Sequence, residues 1–225
     1  MGIKQRRRRE KEHRRRQILD AARALLFKKG LNAISVNQIA RHAELAVGTI
    51  YFYFRSKEEI FAVLQEEGLT LLHEEVRRAL PQEADPAERL HAMAQAYLRF
   101  SREHKNYFDV INYFLSATDV MFTPEIKQQI DEHGNRILMV VQEALQDGVA
   151  QGRFGAIDAR RHALLFWGIL HGLIPFRKMQ DTLLADDAFS ALYRFAVDNF
   201  INGLSQPAPT QVAAGDLPTM GEHHD

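Results

Sequence analysis

The sequence predicts an all-α protein of about nine helices, arranged as a small basic N-terminal unit and a larger acidic helical body. Three observations predict it. Apolar residues recur at spacings of three and four along most of the chain, and no segment carries the alternation of a half-buried strand. Charge is segregated: residues 1–60 hold 15 Lys+Arg against 6 Asp+Glu, a net +9, and the remainder carries −9, although the 225 residues together sum to zero. Such asymmetry points to a basic module for a polyanion joined to an acidic body. Finally, the chain has no cysteine, which excludes disulfide frameworks, thiolate metal sites and Cys nucleophiles.

Residues 1–14 read as a basic flexible arm whose later part can continue into the first helix, since nine basic residues and two glutamates crowd the first sixteen positions; the Arg6–Arg9 and Arg14–Arg16 runs are either solvated or contacts to the minor groove or phosphates of a duplex. From Gln17 an apolar face forms through Ile18, Leu19, Ala22, Leu25 and Leu26, and Gly30 is placed to stop the helix. Ser35 is an N-cap for a short helix over Val36–Ala43, with Ile39 and Ala40 facing inward. Glu44 and Leu45 make a turn, and a third short helix runs from about Ala46 to Phe54. Ser56 caps a long fourth helix ending near Leu80, with Glu59 at the reciprocal capping-box position.

Pro81–Pro86 is a linker by composition. Helices follow over about Ala87–Arg102, Asn106–Ala117, Thr123–Gly152 and Asp158–Lys178, and from a cap at Asp186 or Asp187 to Leu204. Residues 205–225 are Pro, Ala, Gly, Thr and acid without apolar periodicity and read as a disordered tail. The longest apolar run, Ala163–Phe176, is shorter than the ~18 residues of a membrane span. No apolar stretch follows the charged N-terminus, so a secretory signal is not expected. A cytoplasmic protein with no membrane partner is the expectation.

The informative stretch is Ser35–Lys57. Two short helices joined by a tight turn form a helix-turn-helix candidate, with Ile39, Ala40, Ala43, Leu45 and Ile50 as its packing set. The second of the pair presents Val47, Gly48, Thr49, Tyr51, Phe52 and Tyr53. Such a cluster suits a major groove, where hydroxyls reach phosphates or base edges and apolar groups meet thymine methyls.

The string Ser35-x3-Ile39-Ala40-x2-Ala43-x4-Gly48-Thr49-Ile50-Tyr51-x-Tyr53-Phe54-x-Ser56-Lys57 resembles the DNA-binding signature of the TetR family of transcriptional regulators. Ile18-Leu19-Asp20-Ala21-Ala22 and Phe27-x2-Gly30 match that family's first helix. The resemblance implies phosphate contacts by Ser35, Thr49, Tyr53 and Lys57, with Val47, Gly48 and Tyr51 facing bases or backbone in the major groove. Asn37, Gln38 and Arg41 are further candidates on the exposed face of the preceding helix. For Tyr51 and Tyr53 the alternative is packing into the small core; neither Phe52 nor Phe54 is assigned to DNA. Two positions depart from the family pattern: Glu44 stands where the turn usually has Gly, and Ala46 where the recognition helix usually starts at Ser.

The resemblance divides the chain into the arm 1–14, a DNA-binding domain 15–56, an effector-binding and dimerisation domain 57–204 and the tail 205–225. It implies a small, apolar or amphipathic effector bound among aromatics of the body. Tyr97, Phe100, Phe108, Tyr113, Phe114, Trp167 and His171 are candidates, against the plainer reading of ordinary core. It also implies a homodimer on a palindromic double-stranded operator. Gly168 and Gly172, one turn apart, and Leu164, Phe195 and Phe200 are the candidate interface residues, on the last two helices.

No phosphate loop, nucleophile elbow or zinc motif is present, so neither catalysis nor a cofactor is expected. His162 and His171 lie nine apart, on opposite helix faces, and cannot share a metal; His223 and His224 sit in the tail. No metal site is assigned. The favoured expectation is a ligand-responsive dimeric repressor. An activator or architectural DNA binder without an effector, and a helical enzyme with a DNA-binding appendage, are the alternatives.

Overall fold

The computed structural model describes residues 3–30, 34–81, 84–116, 124–179, 182, 184 and 188–205. They form nine α-helices: α1 (Ile3–Lys29), α2 (Val36–His42), α3 (Val47–Tyr53), α4 (Lys57–Ala79), α5 (Pro86–Glu103), α6 (Lys105–Ser116), α7 (Pro124–Ala150), α8 (Ala159–Leu173) and α9 (Phe189–Leu204). No strand occurs among the described residues. No helix among them is long and apolar enough to cross a membrane.

Most boundaries follow local signals. Ser35 and Gln38 form a reciprocal capping box, the Ser35 hydroxyl accepting from the Gln38 N–H and the Gln38 amide oxygen accepting from the Ser35 N–H. Ser56 caps α4 by accepting from the Glu59 N–H, while the Glu59 carboxylate reaches back to the Arg55 N–H, one residue before the expected position. Asp85 caps α5, with Pro86 in the first turn where its missing N–H costs nothing.

Two boundaries differ from the sequence expectation. α1 starts at Ile3, so residues 3–14 continue the first helix rather than forming a flexible arm. Arg, Lys, Glu and Gln are strong helix formers, and the apolar helix downstream supplies the nucleus they extend. α8 stops at Leu173 and passes into a 3-10 turn, Ile174–Met179. Pro175 has no N–H to donate, and its ring would strike the carbonyl of His171 if the α-helix continued. The proposed caps Asp186 and Asp187, Thr123 before α7 and the tail beyond Ser205 lie outside the described residues.

Two apolar cores are strung on α4. The first holds Ile18, Ala22 and Leu26 of α1, Ile39 and Ala40 of α2, Ile50 of α3, Phe54, and Ile60, Phe61 and Leu64 of α4. The second begins at Leu69, Leu72 and Val76 of the same helix and continues through α5, α7, α8 and α9. Where α7 ends, Gly148 lets Phe154 fold against the body; a Cβ there would stand 2.1 Å from the Phe154 ring. The helix α6 belongs to both cores: Phe108 and Ile111 lie in the second, while Val110 is fully buried in the first.

Candidate DNA-binding surface and effector cavity

The helix-turn-helix owes its shape to backbone geometry that its residues only partly favour. After α2 the chain turns through Glu44, at φ +54°, the one non-glycine with positive φ among the described residues. The Leu45 N–H donates to Ala40 O at 2.9 Å and the Glu44 N–H to Arg41 O at 3.3 Å, a paired closure that normally uses glycine. The α3 helix then starts at Ala46 with no side-chain cap. Both departures noted in the sequence are therefore physical ones. Compensation comes from α1, whose Gln17 donates its amide to Ala43 O at 2.8 Å, and whose Arg15 guanidinium lies 4.3 Å from the centre of the Phe54 ring.

On α3, Ile50 is buried while Val47, Gly48, Tyr51 and Phe52 face outward. Tyr51 is 52% exposed and Phe52 77%, so the exposed ridge carries one aromatic that sequence reasoning assigned and one that it did not. A Cβ at Gly48 would meet no atom of the chain, which leaves a bare stretch of helix backbone on the outer face. Tyr53 is half-buried against the small core and edge-on to Phe52. Thr49 is half-buried. Asn37 and Arg41 are exposed on α2. Ser35 and Gln38 spend one hydrogen bond each on the capping box, but the Ser35 hydroxyl proton and the Gln38 amino group remain available to a phosphate. Lys57 is the first residue of α4, its ammonium 5.5 Å from the Phe61 ring centre, so an anion there meets both the ammonium and the helix N-terminus.

The body contains a cavity of about 770 Å³ lined by α4 (Gln65, Leu69, Leu72), α5 (Tyr97), α6 (Ile111, Leu115), α7 (among them Lys127, Gln128, Ile130, Asp131, Ile137 and Leu138) and α8 (Arg160, Trp167). Its size suits a small organic molecule. The Tyr97 hydroxyl lies 2.6 Å from His171 Nδ1, and the Trp167 ring stands 5.4 Å from that of His171. Burial pushes the Tyr97 phenol up and the His171 imidazole down, so both are neutral and the tautomer of His171 sets which of the two donates. Phe108 completes this cluster, its ring 6.0 Å from Tyr97 and 5.7 Å from His171. Of the cavity's polar side chains on α7 and α8, Lys127 pairs with Asp131, Gln128 with Glu132 and Arg160 with Asn135. Gln65 is buried, and its Oε1 has no partner among the described residues.

The predicted pocket set is thus split. Tyr97 and Trp167 line the cavity, and Phe108 and His171 stand behind them. Phe100 does not: it is fully buried in the main core against His104. Tyr113 and Phe114 pack on the small N-terminal core, because α6 turns that side toward α4 and the DNA-binding unit. Sequence reasoning missed Gln65 and the α7 side chains, whose polar faces are indistinguishable from solvated helix surface.

Of the interface candidates, Leu164 and Phe195 are exposed, the latter 65% so, and a Cβ at Gly168 or Gly172 would meet nothing within 4 Å among the described residues. Leu165 adds to the same uncovered face. Phe200 differs: it is buried in its own chain, its ring 4.9 Å from Phe166.

Comparison with known proteins agrees with this architecture. The family model described as bacterial regulatory proteins, tetR family, matches residues 18–64, and the tetracyclin repressor-like C-terminal domain matches residues 90–200. The fatty acid metabolism regulator protein of Bacillus subtilis (strain 168) is 25% identical over 166 residues, covering 73% of this chain and 84% of that one. The crystal structure of the transcriptional regulator FadR from Bacillus subtilis in complex with stearoyl-CoA superposes with a TM-score of 0.65 at 24% identity, covering 83% of this chain and 97% of that one. AibR in complex with isovaleryl coenzyme A and operator DNA gives 0.60 at 21% identity, covering 86% and 99%. With both halves of the family pattern matched in order, and the helix-turn-helix and helical body built as described, the chain belongs to the TetR family of helix-turn-helix transcriptional regulators, a non-enzymatic family.

Proposed function

We propose that the protein is a cytoplasmic homodimeric repressor that releases a palindromic operator when a coenzyme A thioester occupies the cavity of the body. The observation that carries the ligand response is the double membership of α6. Its Ile111 and Leu115 face the cavity, while Val110, Tyr113 and Phe114 pack into or against the core of the DNA-binding unit. A polar tie reinforces the joint: Arg23 of α1 binds the Glu67 carboxylate of α4 through two nitrogens, at 3.0 and 2.7 Å, and the Tyr107 hydroxyl of α6 donates to the same carboxylate. A ligand that moves α6 or α4 therefore moves the recognition helices, whose spacing in a dimer must match one turn of duplex, about 34–36 Å. Release requires that the ligand bind the displaced state more tightly than the DNA-bound one.

The ligand class is supported by the two relatives found with acyl-coenzyme A molecules and by a cavity lined by apolar side chains together with polar ones of α7 and α8. The dimer is supported by the exposed face of α8 and α9, where Leu164, Leu165 and Phe195 stand out and a Cβ at Gly168 or Gly172 would meet nothing within 4 Å among the described residues. At the DNA, Val47, Gly48 and Tyr51 read the groove, while Ser35, Asn37, Gln38, Arg41, Thr49, Tyr53 and Lys57 engage the backbone.

The test is operator binding on a duplex selected by the protein from random DNA, with stearoyl-CoA, isovaleryl-CoA and free coenzyme A added in turn. A thioester that dissociates the complex, with free coenzyme A inert, is the expected result; no release by either thioester overturns the ligand. Tyr51→Ala and Lys57→Ala lower affinity by about tenfold or more with the dimer intact. Gly168→Phe yields a folded monomer, since a Cβ at this exposed position meets nothing within 4 Å among the described residues; a dimer by light scattering would overturn the interface.

A further inference from the structure

About four turns of α1, residues 3–17, precede the small core that anchors the rest of the helix. The residues that bury this helix fall in one sector, through Ile18, Leu19, Ala22, Leu25 and Leu26. Stepping back from that sector by threes and fours gives Arg15, Arg14, Lys11, Arg8 and Arg7. The apolar stripe becomes a basic stripe without leaving its face. Glu10 and Glu12 lie at its two margins, the latter paired with Arg8 at 3.0 Å on the exposed surface.

The direction in which this stripe points is fixed. Arg15 rests on Phe54, which ends the recognition helix, and Gln17 holds the turn before it through Ala43 O. Further along, Arg23 is tied to Glu67, and Phe27 meets Tyr107 edge-on at 5.6 Å. The α1 helix therefore runs from the helix-turn-helix toward the body, and its basic end overhangs the helix-turn-helix. From Ile18 back to Arg7 the helix spans about 16 Å, about half a turn of duplex.

We propose that Arg7, Arg8 and Lys11 form a rigid phosphate-binding extension that grips the DNA backbone outside each half-site contacted by α2 and α3. A helix whose face is set by its own core presents these cations in a fixed row, whereas a loose arm would present them diffusely. The contact is to phosphate and carries no base preference, so it lengthens the footprint and raises affinity without altering the sequence read. This extension rests on the DNA-binding reading above, and the experiment separates the two.

Two variants each remove three positive charges per protomer: R7Q/R8Q/K11Q within the sector, and R6Q/R9Q/R16Q outside it. Glutamine keeps the helix, which circular dichroism verifies. Each is titrated with the selected duplex over a range of salt, once with flanks of about a turn on each side and once trimmed flush with the half-sites. Three phosphate contacts in each of two protomers predict that the sector variant lowers the slope of log K against log salt by about five, with well under half of that for the other variant. On the flush duplex the wild type falls to the slope of the sector variant. Equal losses from both variants, or no loss from either, would overturn the extension while leaving the regulator reading intact. Failure of the wild type to bind any selected duplex would instead overturn the DNA-binding reading itself.

Discussion

The two cores strung on α4 are built to different standards. The N-terminal core is wholly apolar: its buried members run from Ile18 to Leu64, with Val110 entering from α6, and each is an aliphatic, an alanine or a phenylalanine. The core of the body is larger and less settled. It borders a cavity of about 770 Å³, leaves the Gln65 carbonyl oxygen without a partner among the described residues, and buries the hydroxyls of Tyr97 and Tyr193 against His171 and the Ala94 carbonyl. A unit that must hold a recognition helix in one position gains from dense packing, which has one solution. A unit that must accept a guest keeps space and polar groups that an optimised core would eliminate.

The sharpest way to break this comparison is to remove comparable bulk from each core. Phe54→Ala excises a fully buried ring from the N-terminal unit and strips Arg15 of its seat. It should cost about 3–5 kcal/mol and abolish operator binding. Leu69→Ala, at the cavity wall, removes a side chain that already borders empty space. Its cost should sit near the low end for such truncations, about 2 kcal/mol, with the operator complex retained. Urea midpoints and slopes for the two variants check both values. Equal costs would mean that the body packs as tightly as the reading unit.

A smaller effect should come from completing the core of the body. Gln65→Met keeps the length of the side chain and removes the unpartnered oxygen. Replacing a buried unsatisfied group by an apolar one should stabilise the free protein by about 1–2 kcal/mol. If the polar atom is kept for a guest, the same variant should show a smaller thermal shift on adding stearoyl-CoA than the wild type. A destabilised Gln65→Met would show that the amide contributes to the apo fold, and the contrast between the two cores would narrow.

The same contrast explains what could be read from the sequence. The helix-turn-helix was legible because its determinants are local: Ser35 as the cap of α2, Ser56 ahead of α4, small residues at Ala40 and Ala43, and a turn at Glu44. The body gave its helices but not its cavity. An aromatic at helical spacing can face a core, a pocket or a neighbouring unit, and only the packing of the next helix decides. Phe100 went to the core, Tyr113 and Phe114 to the DNA-binding unit, Phe200 to Phe166, and Tyr97 and Trp167 to the cavity. The charge of residues 3–14 suggested an unstructured arm, although their helix propensity, joined to a buried helix, spells a continuation of α1.

The smallest effect tests whether the reading unit is itself fully optimised. Glu44 adopts φ +54° in a closure that suits glycine, and a side chain in that region costs about 1–2 kcal/mol. Against this, glycine gives up more chain entropy on folding, about 0.5–1 kcal/mol. Glu44→Gly should therefore stabilise the protein by a net of about 0.5–1 kcal/mol, read as a raised urea midpoint with an unchanged slope. The gain should be localised: amide exchange should slow at Leu45 and at position 44, whose N–H groups close the turn, and not around the cavity. An unchanged midpoint would mean that the Gln17 bond to Ala43 O already holds the turn as firmly as glycine could. The residual strain of the reading unit would then be absorbed by α1, whose grip on this turn also aims its basic end.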